Sequence, residues 1–208
     1  MGIPAFFSYI IKNHPEIIKQ ISNNNTLFHN FYLDSNSIIY DCLRNIDTDS
    51  NKKNFEKKLI NSVCMKINEY IKLIKPINNV FIAFDGVAPV AKLEQQRTRR
   101  YKSSFERKLT KTLGKNETIV WDKTAITPGT EFMKKLDIGI KKYFLKNNFN
   151  CKIMISTSTE KGEGEHKIFK FIRDNRKIHE KTKTLIYGLD ADLIMLGLNH
   201  LPISRNIF

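Results

Sequence analysis

The chain has 208 residues, of which 41% are hydrophobic and 27% charged, and its formal net charge is +14. This length and composition predict a single globular domain, residues 1–208, and exclude a mostly disordered chain. Three widely spaced cysteines are typical neither of a disulfide framework nor of a zinc site, which predicts a reducing, intracellular setting. Because no apolar run reaches the length of a membrane span, we expect no membrane partner.

The excess of basic residues leaves two explanations open. Phosphate polyanions attract Lys and Arg, so the charge favours a nucleic-acid partner. However, only eight of the 35 basic residues are Arg, and a chain rich in Lys, Asn and Ile is also typical of an AT-rich coding bias with lysines on solvated surfaces. Three of the eight arginines lie within 97–100, so their position is more informative than the net charge.

Short apolar runs alternate with stretches of helical periodicity along the chain. The predicted strands are "LFHNFYLD" (27–34), "NVFIAFD" (79–85), "CKIMIS" (151–156) and "TLIYGLD" (184–190). The predicted helices are 36–46, 55–74, 88–109, 130–147 and 166–175. This alternation predicts an α/β fold with a mostly parallel central sheet flanked by helices on both faces.

Two of these helices carry more specific signals. In 55–74 the apolar residues Leu59, Val63, Ile67 and Ile71 recur near one face, which predicts the side that packs on the sheet. Before 130–147, Thr127 could cap the helix, with Pro128 at its first position.

Acidic residues follow all four predicted strands. They are Asp34, Asp85, Glu163 with Glu165 in "EKGEGEHK", and Asp190 with Asp192 in "GLDAD". In open parallel sheets, sites form at the carboxyl ends of the strands, so we expect these six carboxylates to converge on one edge. Asp190 and Asp192, two positions apart in an extended chain, should face the same side.

Such a group of carboxylates predicts a metal site. Like charges a few ångströms apart repel each other in a partly dry cleft, and divalent cations remove the conflict. All-oxygen ligands favour Mg²⁺ or Mn²⁺ over zinc, and two such ions require about this many acids. Two ions could activate a water molecule and stabilise an in-line transition state at phosphorus.

Each acid taken alone also has a structural interpretation. Asp34, or Asp85 followed by Gly86, could be a turn or capping residue, and Glu163 could interact with a helix dipole. His166 and the other histidines lack metal-ligand spacing, so we expect them to be structural or exposed. Only the joint pattern of acids after every strand favours a metal site.

The stretch 88–109 is the predicted basic helix. Lys92, Gln96, Arg99 and Arg100 are spaced i, i+4, i+7 and i+8, so they share one helical face. Such a face with two guanidinium groups suits a terminal phosphate, which Arg binds bidentately. The alternative is a solvated amphipathic helix in which Glu94 and Glu106 offset the positive charge.

Six blocks of the chain, read in order, resemble the XRN family of 5′-to-3′ exoribonucleases. They are "MGIPAFF", "LDSNSIIYDC", "FDGVAPVAKLEQQRTRRYK", "ITPGTEFM", "GEGEHKIFKFIR" and "YGLDADLIMLGL". The resemblance runs from Met1 to about Leu198. It implies a PIN-like 5′-nuclease fold that removes mononucleotides successively from single-stranded RNA bearing a 5′-monophosphate, with two Mg²⁺ or Mn²⁺ ions. It identifies no protein partner.

The resemblance also implies roles for individual residues. The six acids named above would coordinate the metal ions and so be catalytic. The 5′-phosphate pocket would comprise Lys92, Gln96, Arg99 and Arg100, and Asn36 and Tyr40 would lie near the scissile nucleotide.

The chain departs from the family pattern in three respects. Ser37 stands where the family usually has Gly, and Tyr40 where it has a base-stacking His, although Tyr can also stack on a base. The family's nuclease domain continues well past the "GLDADLIMLGL" block, so we expect a fragment or a short relative. Two alternatives stay open: a catalytically incomplete module that binds RNA ends, and a DNA 5′ nuclease of the same superfamily.

Overall fold

The computed structural model describes residues 5–21, 26–46, 52–112 and 121–208. Residues 1–4 of the "MGIPAFF" block therefore lie outside the described residues. Within these ranges no helix is both long enough and apolar enough to cross a membrane.

Four strands alternate with helices, as predicted. The strands are β1 (Asn30–Asp34), β2 (Asn79–Ala83), β3 (Lys152–Ser156) and β4 (Thr184–Tyr187). The described helices are α1 (Phe6–Asn13), α2 (Asn36–Arg44), α3 (Lys52–Ile74), α4 (Val90–Thr112), α5 (Glu131–Lys146), α6 (Gly164–Asp174), α7 (Arg176–His179) and α8 (Asp192–Asn199). Short 3-10 turns lie at Pro15–Ile17 and Lys123–Ala125.

The four strands form one parallel sheet in the order β3-β2-β1-β4. From β1 the chain moves outward through β2 to β3 and then returns to place β4 on the other side of β1. All four strands run in the same direction, but the side of the sheet on which new strands are added changes between β1 and β4. In open α/β sheets this change of side leaves a crevice at the carboxyl ends of the strands, which is where ligands bind.

Both faces of the sheet are covered, which explains why the strands read as nearly continuous apolar runs. Phe31 and Leu33 of β1 point into a large core with α2, α3 and α5. Tyr32, between them, points into a smaller core with α6 on the other face. This alternation follows from the two-residue period of a strand.

The predicted packing face of α3 is confirmed, because Leu59, Val63, Ile67 and Ile71 are all buried. The predicted cap of α5 is wrong. α5 begins at Glu131, and the Thr130 hydroxyl accepts a hydrogen bond from the Met133 N–H (3.3 Å), so Thr130 and not Thr127 is the N-cap. The carbonyl of Thr127 instead accepts a hydrogen bond from Thr130 Oγ1 (2.9 Å), in a turn before the helix.

The smaller core contains a buried polar pair. Tyr32 and His179 are both buried, and Tyr32 Oη lies 2.7 Å from His179 Nε2. His179 Nδ1 lies 2.9 Å from the Asn175 carbonyl, which can only accept. The proton is therefore on Nδ1, and Nε2 accepts from the tyrosine hydroxyl. Burial lowers the pKa of His179, consistent with a neutral ring.

We expect Tyr32→Phe to lower the free energy of unfolding by about 1–3 kcal/mol, because it leaves His179 Nε2 buried without its donor. Urea denaturation monitored by circular dichroism would measure the change. Tyr101→Phe is the control, since Tyr101 is 66% exposed and this substitution removes the same hydroxyl group from a position in contact with solvent. Equal stability of the two variants would contradict the assignment.

Candidate active site

Two of the three glutamates of "EKGEGEHK", Glu163 and Glu165, lie at the start of α6. Glu163 is the N-cap residue and Glu165 lies in the first turn, because the helix begins at Gly164, two residues before the predicted start. Lys92 Nζ donates to Glu163 Oε2 (2.7 Å) and lies 3.5 Å from Glu165 Oε1. One ammonium group of α4 thus offsets both carboxylates.

Asp85 is held by backbone and side-chain donors. Its Oδ1 accepts from the Gly164 N–H (2.7 Å) and its Oδ2 from Asn36 Nδ2 (2.6 Å). Asn36 Oδ1 in turn accepts from the Asp85 N–H (3.1 Å). Asn36 therefore fixes the orientation of Asp85, and Asp85 links the end of β2 to the start of α6. Burial, and secondarily Glu163, raises the pKa of Asp85.

Asp34 lies at the centre of the acidic group, at the end of the central strand β1. Burial, with the charges of Asp85, Glu165 and Asp190, raises the pKa of Asp34 to about 8. Its Oδ1 is buried and has no hydrogen-bond partner among the described residues. A Cβ at Gly164 would lie 2.4 Å from this oxygen, so glycine is needed there to admit the carboxylate.

The acids after β4 are arranged differently from the prediction. β4 ends at Tyr187, and the segment after it forms a turn into α8 rather than continuing as extended chain. Asp190 is exposed and Asp192 is the first residue of α8, with its N–H donating to Asp190 Oδ1 (3.1 Å). The charge of Asp190 raises the pKa of both Asp34 and Glu165, so this carboxylate lies near both of them.

The structure therefore brings Asp34, Asp85, Glu163, Glu165 and Asp190 to one edge of the sheet, and connects Asp192 to them through the backbone of the turn. We call these six residues the acidic cluster. The oxygens of Glu163 and Glu165 and a nitrogen of His166 lie within 4.8 Å of one another, close enough to hold a metal ion. Sequence spacing did not point to His166, whose ring is 47% exposed and lies 3.6 Å from Glu165 Oε1.

The residues present fit a divalent cation. A buried carboxylate oxygen without a donor, surrounded by further carboxylates, has the unsatisfied negative charge that a hard cation would neutralise. All the donors except His166 are oxygens, which suits Mg²⁺ or Mn²⁺.

Backbone hydrogen bonds connect the loop after β2 to the loop after β3. Gly86 N–H donates to the Gly162 carbonyl (2.9 Å), and Gly162 N–H donates to the Val87 carbonyl (3.0 Å). A Cβ at Gly86 would lie 1.6 Å from the Glu160 carbonyl oxygen, so only glycine permits this approach. The two loops therefore carry Asp85 and Glu163 as one unit.

Lys167 also connects these two loops, a role that was not predicted from the sequence. Its buried ammonium donates to the carbonyls of Phe84 (2.7 Å) and Thr157 (2.9 Å), one on each loop. Burial lowers the pKa of Lys167, and the charge of Glu160 opposes that shift. In the sequence it is one of 35 basic residues, and nothing in its spacing distinguishes it.

A cleft of about 390 Å³ opens beside the acidic cluster. Residues of three segments line it: Asn36 and Tyr40 of α2, Gln96, Arg99, Arg100 and Ser103 of α4, and Lys123, Thr124, Ile126, Thr127 and Pro128 of the segment before α5, together with Asp85. Lys92, predicted to share this site, is ion-paired with Glu163 and does not line the cleft. We call this space the basic cleft.

A parallel sheet with acids gathered at its carboxyl edge is the arrangement of an α/β PIN-like nuclease fold. Residues 1–206 match the family described as "XRN 5'-3' exonuclease N-terminus", and the chain belongs to that family. It is 39% identical to 5'-3' exoribonuclease 1 of Saccharomyces cerevisiae, over 96% of this chain and 14% of the yeast protein.

Other relatives give the same result. The chain is 38% identical to 5'-3' exoribonuclease 1 of Homo sapiens, over 95% of this chain and 12% of the human protein. It is 33% identical to 5'-3' exoribonuclease 2 of Emericella nidulans, over 99% of this chain and 24% of the fungal protein. The chain thus spans less than a quarter of the length of each of these relatives.

At neutral pH, Asp34→Asn should stabilise the metal-free protein by about 1–3 kcal/mol, because the Asp34 carboxyl, with its raised pKa, must take up a proton on folding and an amide need not. Mn²⁺ should raise the melting temperature of the parent protein and have much less effect on the variant. Differential scanning calorimetry with chelator or Mn²⁺ would test both points. Asp174→Asn, in an exposed i,i+4 pair at the end of α6, is the control. Lower stability of the Asp34 variant in chelator would contradict the electrostatic argument.

Lys167→Met should lower the free energy of unfolding by about 1–3 kcal/mol, because two buried carbonyls lose their donor. Lys170→Met, one turn later on the same helix, changes the same side chain where it is 67% exposed, and should have little effect. Chemical denaturation of the two variants gives the comparison. If the two variants are equally stable, the contacts of Lys167 with the two loops do not stabilise the fold.

Proposed function

We propose that the chain is the nuclease region of a divalent-metal-dependent 5′-to-3′ exoribonuclease, which hydrolyses single-stranded RNA with a 5′-monophosphate and releases mononucleotides. The named activity of the relatives supports the reaction class. One observation carries the rest: Asp85, a member of the acidic cluster, and Asn36, which is hydrogen-bonded to Asp85, both line the basic cleft. A site that hydrolyses phosphodiesters therefore adjoins a site that attracts a phosphate.

The six acids of the cluster would hold two Mg²⁺ or Mn²⁺ ions, with Asp34 as the central ligand. When bound, the ions supply activation of water and neutralisation of charge that develops at phosphorus. The chain itself supplies the rigid placement of the carboxylates, through Asn36, Gly86 and Lys167. Fixed placement matters because displacement of a catalytic group by about 1 Å can lower the rate roughly a hundredfold.

The basic cleft would select the 5′ end. Arg99 and Arg100 present planar donors that match the oxygens of a phosphate monoester, and Gln96, 3.3 Å from Arg100, orients one of them. A 5′-hydroxyl end would leave these cations without a partner. Tyr40, 38% exposed at the edge of the cleft, can stack on the terminal base.

A second candidate is a module that holds RNA ends without hydrolysing them. The ion pairs of Lys92 favour it, because they offset Glu163 and Glu165 without any metal ion. Under the enzyme proposal, bound cations take over this neutralisation. Lys92, one turn before Gln96 on α4, is then available to the substrate phosphate. The two candidates therefore differ in whether divalent ions produce turnover.

Mononucleotide release from 5′-phosphorylated, 5′-hydroxyl and capped RNA, with Mg²⁺ or with chelator, tests the proposal. We expect release only from the 5′-phosphorylated RNA and only with Mg²⁺. Asp190→Ala combined with Asp192→Ala should abolish release and leave RNA binding intact. A matched single-stranded DNA in the same assay tests the sugar preference.

The outcomes separate the candidates. Equal attack on all three ends would contradict the phosphate cleft. Binding without release under any condition would favour the RNA-end-binding module, and release unaffected by the double substitution would contradict the metal roles. Faster attack on DNA would identify a DNA 5′ nuclease.

A further inference from the structure

We propose that Lys123 is the third cation of the basic cleft and a determinant of 5′-phosphate binding, an assignment that rests on the proposed function. It lies outside the basic helix that the sequence pattern singled out. In the structure, however, it lines the same cleft as Arg99 and Arg100. The ligand that this arrangement suits is a terminal phosphate monoester.

The segment that carries Lys123 forms one side of the cleft and is packed against the core. Trp121 is buried and packs edge-on against Phe132 (4.8 Å between ring centroids) and at a tilt against Phe55 (5.8 Å). Ile126, three residues after Lys123, is also buried. These anchors hold both ends of the turn against the core, so the position of Lys123 is set by packing.

Hydrogen bonds fix the turn between these anchors. Asp122 Oδ1 accepts from the Thr124 N–H (2.9 Å), and the Lys123 carbonyl accepts from the Ile126 N–H (3.0 Å). Thr130 Oγ1 lies within hydrogen-bond distance of the Ala125 carbonyl (2.5 Å). These hydrogen bonds hold the backbone on both sides of Lys123, and Thr124 also lines the cleft.

The charges of the lining favour a doubly charged ligand. Among the described residues of the lining, Arg99, Arg100 and Lys123 provide three positive charges, and Asp85 one negative charge. A phosphate monoester carries about −1.5 to −2 near neutral pH, which matches this excess. Two arginines can bind phosphate oxygens as planar forks, and a lysine on another wall adds a flexible point charge.

Lys92 does not supply this charge in the structure. Its ammonium lies 2.7 Å from Glu163 Oε2, within the acidic cluster. The helical spacing that places Lys92 on the face of Gln96 is real, but the carboxylates at the start of α6 bind its end group. While Lys92 is paired with Glu163, the third cation of the cleft therefore comes from the segment before α5.

The test compares the affinities of 5′-phosphorylated and 5′-hydroxyl forms of one short single-stranded RNA, measured by fluorescence anisotropy. Chelator prevents turnover, and the repulsion of the 5′-phosphate by the acidic cluster is then the same in every variant, so it cancels when the affinity ratios of the variants are compared. The parent protein should prefer the phosphorylated RNA. Lys123→Met should lower this preference about five- to tenfold, as expected for one charge-assisted contact. Lys123→Arg should retain most of it.

Lys141→Met is the matched control, because Lys141 is exposed on α5 and does not line the cleft, and it should keep the parental ratio. Thermal melts of all variants confirm that they are folded. A parental ratio in Lys123→Met would overturn the assignment. If Arg99→Ala with Arg100→Ala loses the preference and Lys123→Met keeps it, only the role of Lys123 is wrong. If the parent protein shows no preference, the phosphate cleft of the proposed function is wrong as well.

Discussion

Repulsion among carboxylates at the end of β1 is the constraint on which the rest of the site depends. Asp34 lies at the carboxyl end of the central strand, where burial, together with the charges of Asp85, Glu165 and Asp190, raises its pKa to about 8. A fold keeps such an arrangement only if other interactions hold the acids in place. Here these are the two backbone hydrogen bonds that Gly162 forms with Gly86 and Val87, and the two carbonyl contacts of Lys167. The uncompensated oxygen of Asp34 is the part of the site that no described protein group satisfies.

Asp85 shows how structural and functional interpretations of one residue can both hold. As expected for an Asp before a turn, it accepts a backbone N–H, that of Gly164 at the start of α6. The same bond places Glu163 and Glu165 beside it, because they flank Gly164 in the sequence. A capping interaction thus assembles the cluster. The choice between cap and ligand that the sequence left open is not exclusive.

The sheet and the convergence of acids were predictable because both follow from local rules. Short apolar runs identified all four strands, and parallel strands necessarily place their carboxyl ends at one edge. Lys167 and Lys123 could not be found in this way. The carbonyls that Lys167 contacts, and the arginines that share the cleft with Lys123, lie elsewhere in the sequence, and lysine is an abundant residue in this chain. The prediction that Asp190 and Asp192 of "GLDAD" face the same side of an extended chain was wrong. The strand ends at Tyr187, and the two-residue period of a strand does not apply to the turn that follows. Thr130 was overlooked in favour of Thr127 because two threonines flank one Pro-Gly pair, and only tertiary packing selects between them.

The charge balance of the basic cleft bears on why an enzyme of this kind would act from an end. An internal phosphodiester carries a single negative charge and two esterified oxygens, whereas a terminal monoester carries nearly two charges and three free oxygens. On the proposed assignment, two arginines and Lys123 are satisfied by the terminal group and only partly by an internal one. The cleft also adjoins Asp85, so a terminal phosphate bound there would place the next phosphodiester toward the acidic cluster. Selection of the end and choice of the bond to be cut would then follow from one electrostatic feature, the separation of positive charge in the cleft from negative charge at the edge of the sheet.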